Sequence, residues 1–247
     1  MVSSVMPYPI AIQHQLTKKL KRLAQLLIKN DKEQIRLDAD NNEDDDNDLY
    51  YLAQAAVIAY LASAFDQIKE LVLNFLTDDA RRNYGIPNLV LESPEQLASY
   101  NQWIAITQDL IDSVPTDFNN RVKKVRDYAK LNGLNRTETK KLLQKEYDRV
   151  LKRVELIAKD QTEKMSGLVS KDLQEWFGLN SYRWRGVLDN RERPHHVARE
   201  GLTFSWSKPP FDGHPSMPIN CRCWAEPSWG KLTTLRNWHL MNNKGKL

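Results

Sequence analysis

Apolar residues in the first part of the chain recur at steps of three and four, which is the spacing of an amphipathic helix. One such stretch runs from Ile12 to Lys29, and a second runs from Leu49 to Leu76. The second has alanine at positions 53, 56, 59 and 62, so we expect a helix that is buried on most sides. Its uncharged part, residues 49–65, is too short and too polar for a membrane span, so we expect no membrane anchor.

Acidic and turn-forming segments interrupt this pattern. The run from Asp38 to Asp48 holds seven acidic residues and no basic one, which predicts a solvated loop. The two flanking helices would then lack a covering partner nearby, so we expect their apolar faces to contact other proteins. Ser93-Pro94-Glu95-Gln96 is typical of a helix N-terminus, and Val114-Pro115-Thr116 predicts the end of that third helix.

Two further helical patterns follow, joined by a glycine turn. The first begins at Phe118 and stops at Asn132-Gly133, a common C-terminal signal. Asn135 and Glu138 have the spacing of a capping box for the second, which ends at Phe177-Gly178. We favour an ordinary helical hairpin here over a DNA-reading helix-turn-helix.

After Gly178 the sequence changes to short aromatic and β-branched pieces divided by Pro, Gly and Asn, which indicates extended structure. Five of the seven tryptophans lie in this part, at 184, 206, 224, 229 and 238, so we expect a core of rings. The whole sequence predicts a mainly α protein with a small C-terminal α+β unit. We divide it into an N-terminal helical region (1–118), a long helical hairpin (119–178) and a C-terminal β-rich module (179–247).

Residues that can bind metal or transfer protons are concentrated near the C-terminus. Cys221 and Cys223 lie one residue apart, a spacing that gives poor disulfide geometry, so we expect two thiols, as in a reducing cytoplasm. Together with His196 they form what we call the Cys/His cluster, which offers three ligands to a zinc ion. A fourth ligand could come from His214, His195 or Asp189. Alternatively, the cysteines pack as small apolar groups and His196 forms hydrogen bonds within a turn.

The formal net charge is only +4, but basic residues are concentrated in the middle of the chain. Residues 121–153 hold twelve Lys and Arg against four Asp and Glu. Such a stretch suits an anionic neighbour, although solvated helix faces carry similar charge. We expect weak, sequence-independent contact with DNA through five of these side chains, Lys123, Lys124, Arg126, Lys140 and Lys141.

Short motifs follow one another in the last quarter of the chain: Tyr182-x-Trp184, Asp189-x-Arg191-x-Arg193-Pro194-x-His196, Gly201-x-x-Phe204, Pro209-Pro210 and Asn220-Cys221-Arg222-Cys223. With these motifs, residues 119–224 resemble the head-morphogenesis domain of tailed bacteriophages, the minor head protein family typified by the F protein of phage Mu. The resemblance implies that seven motif residues hold the fold of the module: Trp184, Asp189, Arg191, Arg193, Pro194, Asn220 and Arg222.

The resemblance also implies a function in the virion. A protein of this family would be a minor capsid protein, not an enzyme, that acts in head assembly near the portal vertex and assists DNA packaging or ejection. Its partners would be the portal protein, the major capsid protein or both, with packaged DNA as a non-specific neighbour. It would be synthesised in the host cytoplasm, and no charged-then-apolar leader opens the chain. The rival hypothesis is a metal-dependent nuclease or hydrolase that uses the Cys/His cluster.

Overall fold

Four long helices precede a small antiparallel sheet. The computed structural model describes residues 5–36, 44–86, 89 and 99–229 of the 247. The elements in chain order are α1 (Ile10–Arg36), α2 (Asp44–Tyr84), α3 (Ser99–Leu131), α4 (Arg136–Trp176), β1 (Ser181–Arg185), α5 (Pro194–Val197), β2 (Thr203–Ser205) and β3 (Trp224–Pro227). The predicted fold class is confirmed, since the protein is 69% helical and its only sheet in the described ranges has three strands.

The start of α2 corrects the prediction of a solvated acidic loop. Residues 44–48 belong to α2, whereas 38–43 lie outside the described residues. The physical reason is that acidic residues in the first turn of a helix are favoured by the positive end of its dipole. A run of acids therefore marks a helix N-terminus as readily as a loop.

The face that α2 buries also differs from the prediction. Val57, Leu61 and Ala64 are buried, whereas Ala56 and Ala59 are exposed. Ala56 and Ala59 thus lie on the solvent side of the helix, whereas Ala53 and Ala62 are half-buried. The helix ends at Tyr84, and Gly85 follows with a φ of +70°, which agrees with the predicted break.

Helix α3 continues through Pro115, where the sequence predicted its end. A proline inside a helix removes one hydrogen bond and clashes with the carbonyl four residues back, at a cost of about 3 kcal/mol. The apolar residues on both sides of it, Ile111, Val114 and Phe118, are buried, and that burial offsets the cost. The predicted N-terminus at Ser93–Gln96 lies outside the described residues.

The turn between α3 and α4 confirms the sequence signals. Gly133 has a φ of +61°, as a helix-terminating glycine requires. The Oδ1 atom of Asn135 accepts hydrogen bonds from the amides of Thr137 (2.9 Å) and Glu138 (3.0 Å). The carboxylate of Glu138 accepts one in return from the amide of Asn135 at 2.9 Å. This reciprocal pair is the predicted capping box.

The chain packs as two compact units. One unit, which we call the helical unit, consists of Ile10–Ala64 and Trp103–Gln161. The other, the sheet unit, consists of Met1–Pro9, Phe65–Gln102 and Thr162–Leu247. Among the helices at 10–36, 44–84, 99–131 and 136–176, none combines the length and apolarity that a membrane crossing requires.

The apolar face of α1 is covered within the helical unit, which corrects the expectation that it would be exposed. Leu16, Leu20 and Leu23 are almost completely buried. Buried Asp31 of α1 accepts hydrogen bonds from Arg126 and from the hydroxyl of Tyr147, both at 2.6 Å. Tyr60 of α2 also donates a hydrogen bond to the carbonyl of Ile12 at 3.3 Å. The contacts from α3 and α4 come from about one hundred residues further along the chain, where local sequence patterns cannot reveal them.

The sheet unit has the predicted core of rings. Strand β1 lies in the middle of the order β2-β1-β3 and pairs antiparallel with both neighbours. Because side chains alternate along a strand, Tyr182 and Trp184 face the core, where Trp206 and the two cysteines also lie. Trp229 is buried as well and donates a hydrogen bond to Asp79 (2.6 Å). Trp224 is only half-buried, and Trp238 lies outside the described residues.

Candidate functional site

The three members of the Cys/His cluster are brought together from two segments. His196 lies on α5, a single turn that Pro194 begins, and the cysteines lie just before β3. Asn220, with a φ of +55°, turns the chain so that Cys221 points inward. The Nδ1 atom of His196 is 3.4 Å from the sulfur of Cys223 and 3.7 Å from that of Cys221. All three side chains are buried, with 1–3% of their surface exposed.

The other ring nitrogen of His196 contacts a carboxylate. Its Nε2 atom is 2.9 Å from Asp212, which also contacts His195 (3.0 Å) and accepts a hydrogen bond from Arg199 (2.6 Å). Partial burial would raise the pKa of Asp212, but the hydrogen bonds from His196, Arg199 and His195 lower it to about 2. Because a carboxylate only accepts, the hydrogen of neutral His196 lies on Nε2, and the lone pair of Nδ1 faces the sulfurs. Burial also lowers the pKa of His196, which keeps the ring neutral.

The two thiols differ in acidity. The hydrogen bond with Cys223 lowers the pKa of Cys221. The same contact, together with burial and the nearby carboxylate of Glu192, raises the pKa of Cys223. The Cys223 thiol donates a hydrogen bond to Glu192 at 3.2 Å. Cys221 is therefore the first of the pair to become a thiolate.

Gly186 explains how Glu192 reaches this position. A Cβ atom at residue 186 would overlap the Glu192 carboxylate, so only glycine leaves room for it. The carboxylate also accepts a hydrogen bond from the amide of Leu188 at 2.5 Å, which fixes its orientation. Neither Glu192 nor Asp212 was predicted from the sequence as part of the site. Neither belongs to a periodic pattern or to a metal-binding motif that could have indicated it.

His214 is not part of the cluster, in contrast to the expectation that it could be a fourth ligand. Its Nδ1 atom is 2.9 Å from the hydroxyl of Tyr182, and its Nε2 atom is 3.1 Å from the carbonyl oxygen of Trp206. Both nitrogens are thus used within the ring core. Of the other two candidates, His195 contacts Asp212, and Asp189 pairs with Arg222.

The motif residues connect the loop after β1 to the loop before β3. Arg222 donates two hydrogen bonds to the carboxylate of Asp189, at 2.7 and 2.5 Å. This contact holds the pKa of Asp189 far below its usual range. The amide of Arg191 donates to Asp189 at 3.0 Å, and the guanidinium of Arg193 donates to the carbonyl of Ile219 at 2.6 Å. The side chains are arranged to hold two loops together.

Arg185 of β1 and Arg199, which lies beside Trp184, also contact other side chains of the module. Arg185 donates to Glu226 (2.9 Å) and to Glu200 (2.8 Å). The guanidinium carbon of Arg199 lies 4.8 Å from the centre of the Trp184 ring, a cation–π distance. These contacts stabilise the module itself.

Comparison with known proteins identifies the segment that contains this site. Residues 120–226 match the model of a family described as "Phage Mu protein F like protein". The chain carries a Phage Mu F-like segment. A protein of Haemophilus influenzae described as uncharacterized is 28% identical over 132 residues, which are 53% of this chain and 30% of that protein. The match thus spans less than a third of that relative. No solved structure matches the chain.

The Mu F-like segment begins in the basic stretch, whose exposure agrees in part with the prediction. Lys123, Lys124, Lys140 and Lys141 are exposed. Arg126 is only partly exposed, and its guanidinium forms an ion pair with Asp31 at 2.6 Å. Arg126 therefore holds α3 to α1 within the helical unit. Because Asp31 already neutralises its charge, Arg126 is not available to bind DNA.

Proposed function

We propose that this protein is a minor component of a phage head that acts in head assembly near the portal vertex. The observation that carries the proposal is the Mu F-like match over residues 120–226, since phage head morphogenesis is the role of that family. The paired motif residues support a structural role. Asp189, Arg193 and Arg222 use their polar atoms to join two loops, which gives a rigid module that could dock as one piece.

We further propose that the exposed face of α2 contacts the portal protein or the major capsid protein. Tyr51 and Leu52 are 64% and 67% exposed. They share one side of the helix with three exposed small residues, Ala55, Ala56 and Ala59. Large apolar side chains next to small ones form a surface that a partner helix could approach closely. We call this surface the α2 stripe.

Incorporation of altered protein into phage heads tests this proposal. In the double variant Tyr51→Glu, Leu52→Glu, two charges are added to the α2 stripe at exposed positions, so the fold should persist. We expect unchanged circular dichroism and melting temperature, with loss of the protein from purified heads. The control variant Gln15→Glu, Gln25→Glu adds the same two charges at exposed positions of α1 and should be incorporated normally.

Heads assembled without the protein test the broader role. We expect few DNA-filled heads in its absence, rescue by the wild type, and difference density at the portal vertex when particles with and without it are compared. Normal yields of filled heads, together with absence of the protein from purified particles, would contradict a role in head assembly.

A nuclease or hydrolase is the second candidate, because His196 lies between a thiol and a carboxylate. The order Cys223, His196, Asp212 is that of a nucleophile, a base and an orienting group. The sulfur of Cys223 is buried with 3% exposure, however, which keeps a nucleic-acid substrate away. We expect purified protein to leave duplex and single-stranded DNA intact with zinc or magnesium added. Cleavage that the His196→Ala variant abolishes would favour the enzyme.

A further inference from the structure

We propose that His196, Cys221 and Cys223 bind one zinc ion, that Glu192 completes the coordination, and that this ion has a structural role in the sheet unit. The three principal ligand atoms lie within 4.8 Å of one another, and all three side chains are buried. This inference does not depend on a role in phage heads, because metal content is measured on the purified chain.

The distances between the ligand atoms fit a tetrahedral zinc site. With Zn–S bonds of about 2.3 Å and Zn–N bonds of about 2.0 Å, sulfur and nitrogen ligands lie about 3.5 Å apart. The observed distances from Nδ1 of His196 to the two sulfurs, 3.4 and 3.7 Å, lie on either side of that value. One ion could therefore bind all three atoms with only small side-chain movements.

The surroundings of His196 are those of a metal ligand. A histidine that binds zinc through one nitrogen usually donates the other N–H to a carboxylate or carbonyl, which fixes the tautomer. The contact between Nε2 and Asp212 at 2.9 Å serves this purpose and leaves Nδ1 directed at the sulfurs. Arg199 donates a hydrogen bond to Asp212 at 2.6 Å and so fixes the carboxylate that orients the His196 ring.

Glu192 is the group that we propose for the fourth coordination position, because its carboxylate contacts one of the two thiols. The carboxylate would move toward Cys221 and His196 when the ion binds, since it is not among the three groups whose ligand atoms lie within 4.8 Å of one another. Its Oε1 atom is 3.2 Å from the sulfur of Cys223, near the spacing of two ligands on one ion. The amide of Leu188 holds its second oxygen, and Gly186 leaves room for the carboxylate. Four protein ligands would close the site to substrate, which is typical of structural zinc.

The second group of potential ligands, His195, His196 and Asp212, does not suit a cation. The guanidinium of Arg199 already neutralises Asp212, and a metal ion there would lie beside that positive charge. Asp212 is better explained as the residue that orients His196.

Zinc would stabilise the part of the sheet unit that follows Gly178, because the regular structure there is small. Strands β1, β2 and β3 contain five, three and four residues. A segment with so short a sheet gains stability from an ion that joins positions far apart along the chain. The ion would connect the segment 192–196 to the segment 221–223.

Metal analysis of the full-length protein tests the proposal. We expect about one zinc per chain in protein purified without chelator, as measured by inductively coupled plasma mass spectrometry. Cobalt added to chelator-treated wild type should produce thiolate charge-transfer absorption and the visible bands of a tetrahedral site.

Asp212→Asn should weaken zinc binding by about 10- to 100-fold, as loss of an orienting carboxylate does. Glu192→Gln should alter the visible bands of bound cobalt.

Matched variants separate the ligands from their neighbours. The double variant Cys221→Ser, Cys223→Ser should bind no zinc, whereas Asp78→Asn removes an exposed carboxylate on α2 and should keep one zinc per chain. If wild type that is folded by circular dichroism takes up neither zinc nor cobalt, the metal site is overturned. Unchanged cobalt bands in Glu192→Gln would overturn Glu192 as the fourth ligand.

Discussion

At the scale of single residues, the charged motif side chains act mainly on one another. Arg222, between the two cysteines, forms a two-pronged contact with Asp189, and Arg193 caps the carbonyl of Ile219. Such geometry suits arginine because its planar fork matches a carboxylate. The loops that carry the Cys/His cluster are therefore held by polar contacts as well as by the ring core.

The Asp189–Arg222 pair should make stability depend on acid. Because the pKa of Asp189 is lower in the folded protein than in the unfolded chain, its contribution is complete above the ordinary carboxyl pKa and is lost as the pH falls below about 4. Melting temperatures of wild type and Asp189→Asn should therefore differ most near neutral pH and converge in acid. The control Asp78→Asn breaks an exposed pair within α2 and should have little effect at any pH. A difference for Asp189→Asn that stays constant between pH 6 and pH 2 would contradict this prediction.

At the scale of elements, α4 is the helix on which the loop before β3 is built. Gln174 donates a hydrogen bond to the carbonyl of Ala225 at 3.0 Å, which anchors β3. About two turns earlier, Gly167 provides a flat surface for residues 215–217. A glycine inside a helix is usually unfavourable, so its presence here reflects the close approach of the loop.

Replacing Gly167 by alanine should destabilise the protein, the reverse of the usual effect. In a helix interior this change normally stabilises by about 0.5–1 kcal/mol. Here the new Cβ would lie 2.8 Å from Cβ of Ser216 and 3.0 Å from the carbonyl oxygen of Pro215. We expect a loss of about 1–3 kcal/mol in the free energy of unfolding, measured by urea denaturation.

The control for this measurement is Lys152→Ala, at an exposed position of the same helix. It should change the free energy of unfolding by less than about 0.5 kcal/mol, since lysine and alanine are both good helix formers. A Gly167→Ala variant more stable than the wild type would show that the loop does not pack closely against α4.

At the scale of the whole molecule, exposed apolar and exposed basic surface are distinct features. The α2 stripe is apolar, whereas Lys123, Lys124, Lys140 and Lys141 present charge near the turn between α3 and α4. The head protein that we propose would need protein contacts for its position and would have DNA nearby. The first requirement suits apolar surface, and the second suits solvated lysines.

DNA binding by the four lysines should be weak and should depend on salt. We expect dissociation constants of about 1 µM or weaker at physiological salt, equal for unrelated duplexes. Replacing all four lysines by glutamine should reduce the slope of log affinity against log salt by about 3–4, because each phosphate contact contributes about 0.9. Fluorescence anisotropy measures both quantities. The control replaces Lys18 and Arg22, exposed on α1, by glutamine and should retain most of the slope. Tight, salt-resistant binding to one sequence would contradict the prediction.

Local signals in the sequence determined most of the helical structure. The apolar spacing of α1, the capping box of Asn135 and Glu138 and the glycine at 133 act within a few residues of one another. Interactions over so short a range leave a readable pattern. The grouping of His196, Cys221 and Cys223 was likewise predicted, because the two motifs that contain them both lie in the last quarter of the chain.

Only the tertiary structure decided the rest. Burial on both sides carries α3 through Pro115, and the face of α1 that was expected to be exposed is buried within the helical unit. The roles of Glu192 and Asp212, and the exclusion of His214, depend on how irregular loops fold back over separations of 16 to 32 residues. The sequences of such loops have no repeating apolar spacing from which contacts could be predicted. The packing of the ring core therefore determines which of their side chains come into contact.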